Sequence, residues 1–175
     1  MNLAEKRVLM VIAPQNFRDE EFEEPRRILQ EAGASVTVAS ARATAKGMFG
    51  TTVRPDLTLD KVRVDDYDAV IFVGGSGAAT YFEDERALAI AKDAAKKGKK
   101  VGAICIAPVI LANAGLLEGK RATVWDGDFA RRLKEKGAKY TGKPVEVDGN
   151  IITANGPAAA KEFGKVIARE LGLGR

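Results

Sequence analysis

Alternation between buried strand patterns and helical patterns is the feature that most constrains how this chain can fold. Near-continuous apolar runs at 7–13, 69–73 and 101–104, and a β-prone run at 35–39, are typical of strands buried on both faces. Helical spacing follows at 20–32 and 84–97, and again after residue 105. We therefore predict an α/β fold with a mostly parallel central sheet and helices on both faces. Neither an internal repeat nor a low-complexity linker interrupts the pattern, so residues 1–175 are predicted to form a single domain.

Shorter elements are predicted between and after these units. Residues 46–62 hold two glycines and a proline among β-prone pieces and indicate small strands or a hairpin. The remaining predictions are a strand at 121–125, a helix at 128–136 capped by Asp128, a hairpin at 145–153 turning on Asp148-Gly149 or Gly149-Asn150, and a last helix from Gly156-Pro157 to about Leu171.

The carboxyl ends of the predicted strands are where a ligand is expected, because open parallel sheets bind ligands at that edge. The residues that follow strands are Asn16 to Glu21, Gly74 to Gly77, Cys105-Ile106, Trp125-Asp126 and Asn155-Gly156.

Cys105, the one cysteine of the chain, lies between a predicted strand and a predicted helix that includes Pro108. Such a corner is the geometry of a nucleophile elbow. The positive end of the helix is expected to lower the pKa of the thiol and to make the thiolate available for attack. The alternative is a buried, inert cysteine. The corner position favours the reactive interpretation.

Histidine is absent from all 175 residues, and this excludes several kinds of chemistry. Cys-His and Ser-His pairs cannot form within the chain, and neither a histidine-ligated metal site nor a thiolate zinc site can be built. No metal is therefore expected. A proton-handling group must be Glu, Asp, Lys, Tyr or water.

The glycine-rich loop Gly74-Gly75-Ser76-Gly77 lacks the spacing of a dinucleotide-binding or phosphate-binding loop. One interpretation is a plain tight turn. The other is an exposed backbone beside Cys105, in which the N–H groups of Gly75 and Ile106 form an oxyanion hole.

An acidic run at 19–24 begins the first helix, where acidic residues are favourable in any protein. A functional interpretation requires one carboxylate to face inward, and Glu21 and Phe22 are plausible inward positions. A buried carboxyl near Cys105 would have a raised pKa. It could then donate a hydrogen bond to a thiolate, or act as the general base that histidine cannot supply.

Three motifs in order give the chain a resemblance to a known family. The segments 70–75, 103–108 and 147–157 resemble the ThiJ/PfpI family, a flavodoxin-like branch of the class I glutamine amidotransferase-like superfamily. The resemblance covers nearly the whole chain. It implies a flavodoxin-like three-layer sandwich.

The resemblance also assigns roles to positions of this sequence. It implies that Cys105 is the nucleophile, that Glu21, four residues before Pro25, contacts it, and that Gly75 and Ile106 supply the oxyanion-hole amides. Further pocket residues are expected at Gly74, Trp125, Asp126, Gly156 and Pro157. The chain departs from the family in two places: PfpI-type peptidases have histidine where Ile106 stands, and in the human parkinsonism-associated branch a histidine takes the place of Trp125.

The resemblance implies three possible functions. The leading one is cofactor-independent chemistry on small α-oxoaldehydes, of the glyoxalase or deglycase kind. The second is a PfpI-type intracellular cysteine peptidase or related hydrolase, which the missing histidine disfavours. The third is a redox-sensing or chaperone-like stress protein in which Cys105 is oxidised.

Composition and charge add expectations about location and partners. With 46% hydrophobic and 30% charged residues, no signal-peptide layout and no membrane-length apolar stretch, the chain is expected to be cytoplasmic. Its formal charge of +4 is dispersed among 24 acidic residues, so neither a nucleic-acid partner nor a membrane is expected. Many charges and few Gln are a weak sign of a thermophilic source. The resemblance implies a homodimer or a higher homo-oligomer.

Overall fold

The computed structural model describes residues 2–173 and forms, within that range, twelve strands and five α-helices. The strands are β1 (Arg7–Val11), β2 (Gln15–Phe17), β3 (Ser35–Ser40), β4 (Ala45–Gly47), β5 (Thr52–Val53), β6 (Leu57–Thr58), β7 (Ala69–Phe72), β8 (Lys100–Ile104), β9 (Arg121–Ala122), β10 (Lys139–Tyr140), β11 (Val145–Asp148) and β12 (Ile151–Ala154). The helices are α1 (Asp19–Glu31), α2 (Glu85–Lys96), α3 (Pro108–Asn113), α4 (Asp128–Glu135) and α5 (Ala160–Gly172). Short 3₁₀ turns lie at 59–61, 64–66, 76–81 and 157–159.

Seven strands form the central sheet, in the order β11-β12-β8-β7-β1-β3-β6. All neighbouring pairs are parallel except β11 and β12. The four innermost strands are almost wholly buried, because both of their faces are covered. The predicted α/β fold with a mostly parallel sheet and a flavodoxin-like arrangement is confirmed.

Two groups of helices cover the sheet. Helices α1 and α5 pack against each other, and α3 packs against both α2 and α4. Small residues permit the closest approaches: a Cβ on Gly164 of α5 would lie 2.9 Å from Pro25 Cα of α1, and one on Gly102 of β8 would lie 3.1 Å from the Phe163 ring. None of the helices within residues 2–173 has the length and apolar character needed to cross a bilayer.

The predicted hairpin at 145–153 is confirmed, with Asp148 paired to Ile151 across the turn residues Gly149-Asn150. Gly149 has φ 62°, which a two-residue turn of this kind needs and which glycine adopts without strain. Small strands or a hairpin were predicted for residues 46–62. Strands β4 and β5 form a small antiparallel hairpin there, which confirms the hairpin alternative.

Three predicted elements need correction. The strand expected at 121–125 keeps only β9, because Thr123 and Trp125 donate their N–H groups to the Thr153 hydroxyl and the Cys105 carbonyl instead of a strand ladder. Asp128 does not cap α4: Gly127 occupies the cap, and the Asp128 side chain pairs with Arg131 inside the helix. The last helix begins at Ala160, after a 3₁₀ turn that contains Pro157.

Candidate functional site

The stretches expected to form a site meet at the carboxyl edge of the central sheet. Segments that follow the central strands β7, β8 and β12 line one pocket, together with Arg18 after β2, Met48 after β4 and the segment after β9. The parallel arrangement explains why the segments after β7, β8 and β12 converge, because the carboxyl ends of parallel strands share one edge.

Cys105 occupies a sharp corner between β8 and α3. Its φ is 66°, a left-handed conformation that is unusual for any residue other than glycine and is kept only where the surroundings hold it. Two hydrogen bonds hold this corner. Its N–H donates to the Ala154 carbonyl at 3.0 Å, and its carbonyl accepts from the Trp125 N–H at 2.8 Å. The predicted elbow geometry is therefore present.

Gly74 and Gly75 bring the backbone after β7 against the cysteine and against the start of α1. A Cβ on Gly74 would lie 2.5 Å from three atoms: Cys105 Cβ, Glu21 Oε1 and the Ile104 carbonyl oxygen. A Cβ on Gly75, which has φ 99°, would lie 2.3 Å from the Arg18 nitrogen. That nitrogen donates to the Gly74 carbonyl at 2.9 Å. Only glycine fits either position.

Two carboxylates of the acidic run are buried: Asp19, which accepts hydrogen bonds from the Phe49 and Thr51 N–H groups, and Glu21, which lies beside Cys105. The relative exposure of Glu21 is 0%, and Glu20 and Glu23 remain partly or fully exposed. The position that a Cβ on Gly74 would occupy lies 2.5 Å from both Glu21 Oε1 and Cys105 Cβ. The carboxyl oxygen and the cysteine Cβ are therefore separated by at most twice that distance. Neither Glu21 carboxyl oxygen has a nitrogen or oxygen partner. Burial raises the pKa of Glu21 to about 8, an effect only partly offset by the neighbouring Cys105 thiol and by the charge of Arg18.

The expectation of a low thiol pKa is not supported. Burial, together with the charge of Glu21, raises the pKa of the Cys105 thiol to about 12. The backbone N–H groups of Gly75 and Ile106 point at the sulfur and act in the opposite direction, but they are the weaker influence. The helix is also a poor source of positive potential, since α3 has six residues and begins three positions after the cysteine. At neutral pH these pKa values favour a protonated Cys105 thiol beside a carboxyl group whose own pKa is about 8.

Above Cys105 lies a pocket of about 310 Å³ with a mainly apolar lining. Four predicted site residues line it in addition to the cysteine: Gly75, Ile106, Trp125 and Pro157. This volume is at the lower end of the range for small-molecule sites.

Three residues predicted for the pocket do not line it. Gly74 lies behind Cys105 and provides the close approach described above. Gly156 supports the Trp125 ring, since a Cβ there would lie 2.8 Å from ring atom Cε3. Asp126 is exposed and accepts hydrogen bonds from the Gly127 N–H and the Tyr140 hydroxyl.

Two further lining residues, Arg18 and Ser76, lie in the stretches 16–21 and 74–77 that were expected at strand ends, although neither was singled out. Sequence reasoning missed three other lining residues: Met48, Ala79 and Phe129. Met48 and Phe129 come from the β4–β5 hairpin and from α4, which do not follow central strands, so a rule based on strand ends could not find them.

The described residues, 2–173, hold no group of three or more His, Cys, Asp or Glu side chains that could bind a metal ion. The chemical resources of the pocket are a thiol, a neighbouring carboxyl of raised pKa, two N–H groups aimed at the sulfur and one guanidinium. This set can move a proton between sulfur and carboxyl while the sulfur attacks an electrophile.

We expect wild-type protein to lose stability as the pH rises from about 5 to 8, and Glu21→Gln to abolish most of that loss. In the native state the Glu21 carboxyl keeps its proton up to about pH 8, whereas an unperturbed glutamic acid releases it near pH 4.5. The native state therefore binds more protons within that window, and rising pH favours unfolding. The pKa shift of Glu21 sets an upper bound of about 5 kcal/mol on this loss in the free energy of unfolding.

Urea denaturation of wild type, Glu21→Gln and the exposed control Glu23→Gln across this pH range measures the difference. Glu23→Gln should follow wild type. If wild type and Glu21→Gln gave parallel stability curves, Glu21 would have no raised pKa.

Comparison with known proteins identifies the family. The model of the DJ-1/PfpI family matches residues 6–170. An uncharacterized protein of Methanocaldococcus jannaschii is 40% identical over 173 residues, which cover 97% of this chain and 84% of the relative. A protein of Pyrococcus horikoshii named a deglycase is 34% identical over 151 residues, which cover 86% of this chain and 90% of that relative. The crystal structure of a ThiJ/PfpI domain protein from Brachyspira murdochii superposes with a TM-score of 0.93 at 36% identity, covering 95% and 96% of the two chains. The chain belongs to the DJ-1/PfpI family.

Proposed function

We propose that this protein is a cysteine-dependent enzyme acting on small reactive carbonyl compounds, in the manner of a glyoxalase or deglycase. One observation carries the proposal: Cys105 lies in a small, largely apolar pocket beside Glu21, whose pKa is raised to about 8. A relative named a deglycase supports it.

In the first step, Cys105 adds to the carbonyl group. Because the thiol is protonated, Glu21 as carboxylate accepts the proton while the sulfur attacks the carbonyl carbon. A C–S bond forms, and the π-electron pair of the carbonyl moves to its oxygen. The N–H groups of Gly75 and Ile106 would stabilise this oxyanion. Glu21 then returns the proton, which gives a hemithioacetal.

With an α-oxoaldehyde the reaction can continue. Glu21 removes the proton from the carbon bonded to sulfur and delivers one to the adjacent carbon, which converts the hemithioacetal into a thioester of a 2-hydroxy acid. Water hydrolyses the thioester and regenerates the thiol. The sum is the addition of one water with no net oxidation, so the electron balance requires no redox cofactor.

The same geometry disfavours the two alternative functions. A peptidase must protonate an amine leaving group, and Ile106 and Trp125 stand where relatives of the peptidase kind and of the parkinsonism-associated branch have histidine. Redox sensing depends on the thiolate, and the burial that raises the pKa of Cys105 to about 12 disfavours the thiolate at neutral pH. Carbonyl addition assisted by Glu21 needs no free thiolate.

We expect kcat/KM for methylglyoxal to increase with pH and to level off above about 8, because the carboxylate of the free enzyme is the base. Replacing Glu21 by Gln should lower kcat/KM by about 100-fold to 10,000-fold and flatten the profile. Cys105→Ser should remove activity, and Glu23→Gln should leave it unchanged. A Glu21→Gln variant with wild-type activity would contradict the role of Glu21. Activity that survives in Cys105→Ser would contradict the proposed function.

Peptidase activity should be weak or absent on casein and short fluorogenic peptides at elevated temperature. A positioned base typically contributes about 100-fold to 10,000-fold, and histidine is absent from the chain. Ile106→His should increase any residual cleavage. Robust cleavage that disappears in Cys105→Ser would instead make the protein a peptidase.

A further inference from the structure

Arg18 is the one charged side chain among the described residues that line the pocket. The other lining residues are apolar or small, apart from the Cys105 thiol and the Ser76 hydroxyl. A ligand in this pocket therefore meets Arg18 on an otherwise mostly uncharged wall. The same residue also borders a neighbouring acidic groove, whose lining includes Glu20 and Phe49.

The Arg18 guanidinium is held on two sides. Its Nε and Nη2 atoms donate to the two Glu20 carboxylate oxygens at 2.8 and 2.9 Å. Its central carbon lies 4.7 Å from the centroid of the Phe49 ring. The Arg18 backbone N–H also donates to the Gly74 carbonyl at 2.9 Å, which fixes the residue relative to the loop beside Cys105.

This arrangement leaves donors free for a ligand. The contacts with Glu20 use one edge of the guanidinium, so the N–H groups on Nη1 have no partner among the described hydrogen bonds. The Arg18 side chain is only 28% exposed, which weakens screening by solvent. A pre-positioned guanidinium loses little freedom when it binds a carboxylate.

We propose that Arg18 makes the pocket selective for small carbonyl compounds that carry a carboxylate or a similar oxyanion next to the reactive carbon. This substrate class rests on the proposed function, because the reactive carbon must reach Cys105. The anionic group would bind the free edge of Arg18, and the apolar wall formed by Trp125, Phe129 and Met48 would cover the rest.

Alkylation of Cys105 tests the selectivity without relying on catalysis. Iodoacetate and iodoacetamide are nearly the same shape, but only iodoacetate is an anion. In both reactions sulfur displaces iodide, forms a thioether and loses its proton. The quantity measured is the ratio of the iodoacetate rate to the iodoacetamide rate, divided by the same ratio for N-acetylcysteine amide.

For wild type we expect this normalised ratio to be about 10, because a charged hydrogen bond that is partly screened by solvent favours the anion by about that factor. Arg18→Gln should reduce it to about one, and Arg18→Lys should keep part of the preference. Glu20→Gln removes the competing carboxylate and should increase the ratio. Higher salt should decrease the wild-type ratio.

Arg27→Gln is the matched control, because Arg27 lies on α1 outside the pocket and pairs with Glu24 and Glu31. A purely structural role for Arg18 would change both alkylation rates by the same factor and leave the ratio intact. An unchanged ratio in Arg18→Gln, in protein whose circular dichroism matches wild type, would overturn the inference.

Fluorescence of Trp125 separates this inference from the proposed function. Trp125 is the one tryptophan of the chain and lines the pocket, so its emission reports binding in Cys105→Ala, which cannot form a hemithioacetal. Glyoxylate should bind about tenfold more tightly than methylglyoxal, and Arg18→Gln should remove the difference. Arg18-dependent glyoxylate binding without turnover of any carbonyl would sustain the anion site and reject the proposed function. Turnover of methylglyoxal with no Arg18-dependent binding would support the proposed function and reject the anion site.

Discussion

The burial of one carboxyl group against one thiol is the interaction on which the site depends. Glu21 has no exposed surface, and Gly74 lets it approach Cys105 where any side chain would collide with both. Because neither group is well solvated, the pair disfavours charge: the pKa of Glu21 rises to about 8 and that of Cys105 to about 12. The proton on this pair is the one that the proposed chemistry moves.

The sheet makes this unfavourable arrangement possible. The Ala154 carbonyl of β12 accepts a hydrogen bond from the Cys105 N–H. The Trp125 N–H, in the segment after β9, donates to the Cys105 carbonyl. These bonds hold the cysteine at φ 66°, a conformation that costs about 1–3 kcal/mol at a residue other than glycine. The fold therefore stabilises a strained corner whose two flanking N–H groups point at the sulfur.

The sequence was sufficient to predict the sheet and the elbow at Cys105, because apolar runs and strand ends are local patterns, whereas the family resemblance singled out Glu21 among the plausible inward positions. The sequence was not sufficient for the thiol pKa. The prediction used the local helix, whereas the pKa is determined by burial and by a charge about eighty residues away in the chain. Met48 and Phe129 were missed for a related reason, since their place in the pocket depends on how the β4–β5 hairpin and α4 pack. Asp126 was predicted to line the pocket, but the strand before it ends at Ala122 and its side chain accepts a hydrogen bond from Tyr140 instead.

Infrared spectroscopy of the Glu21 carboxyl tests the central claim most directly. A protonated carboxylic acid has a carbonyl stretch that a carboxylate lacks, and a difference spectrum between wild type and Glu21→Gln isolates this one group. With a pKa of about 8, the band of the protonated acid should be present at pH 6 and should disappear as the pH rises through 8. Absence of that band at pH 6, which would mean a carboxyl already ionised as in water, would contradict this account of the site.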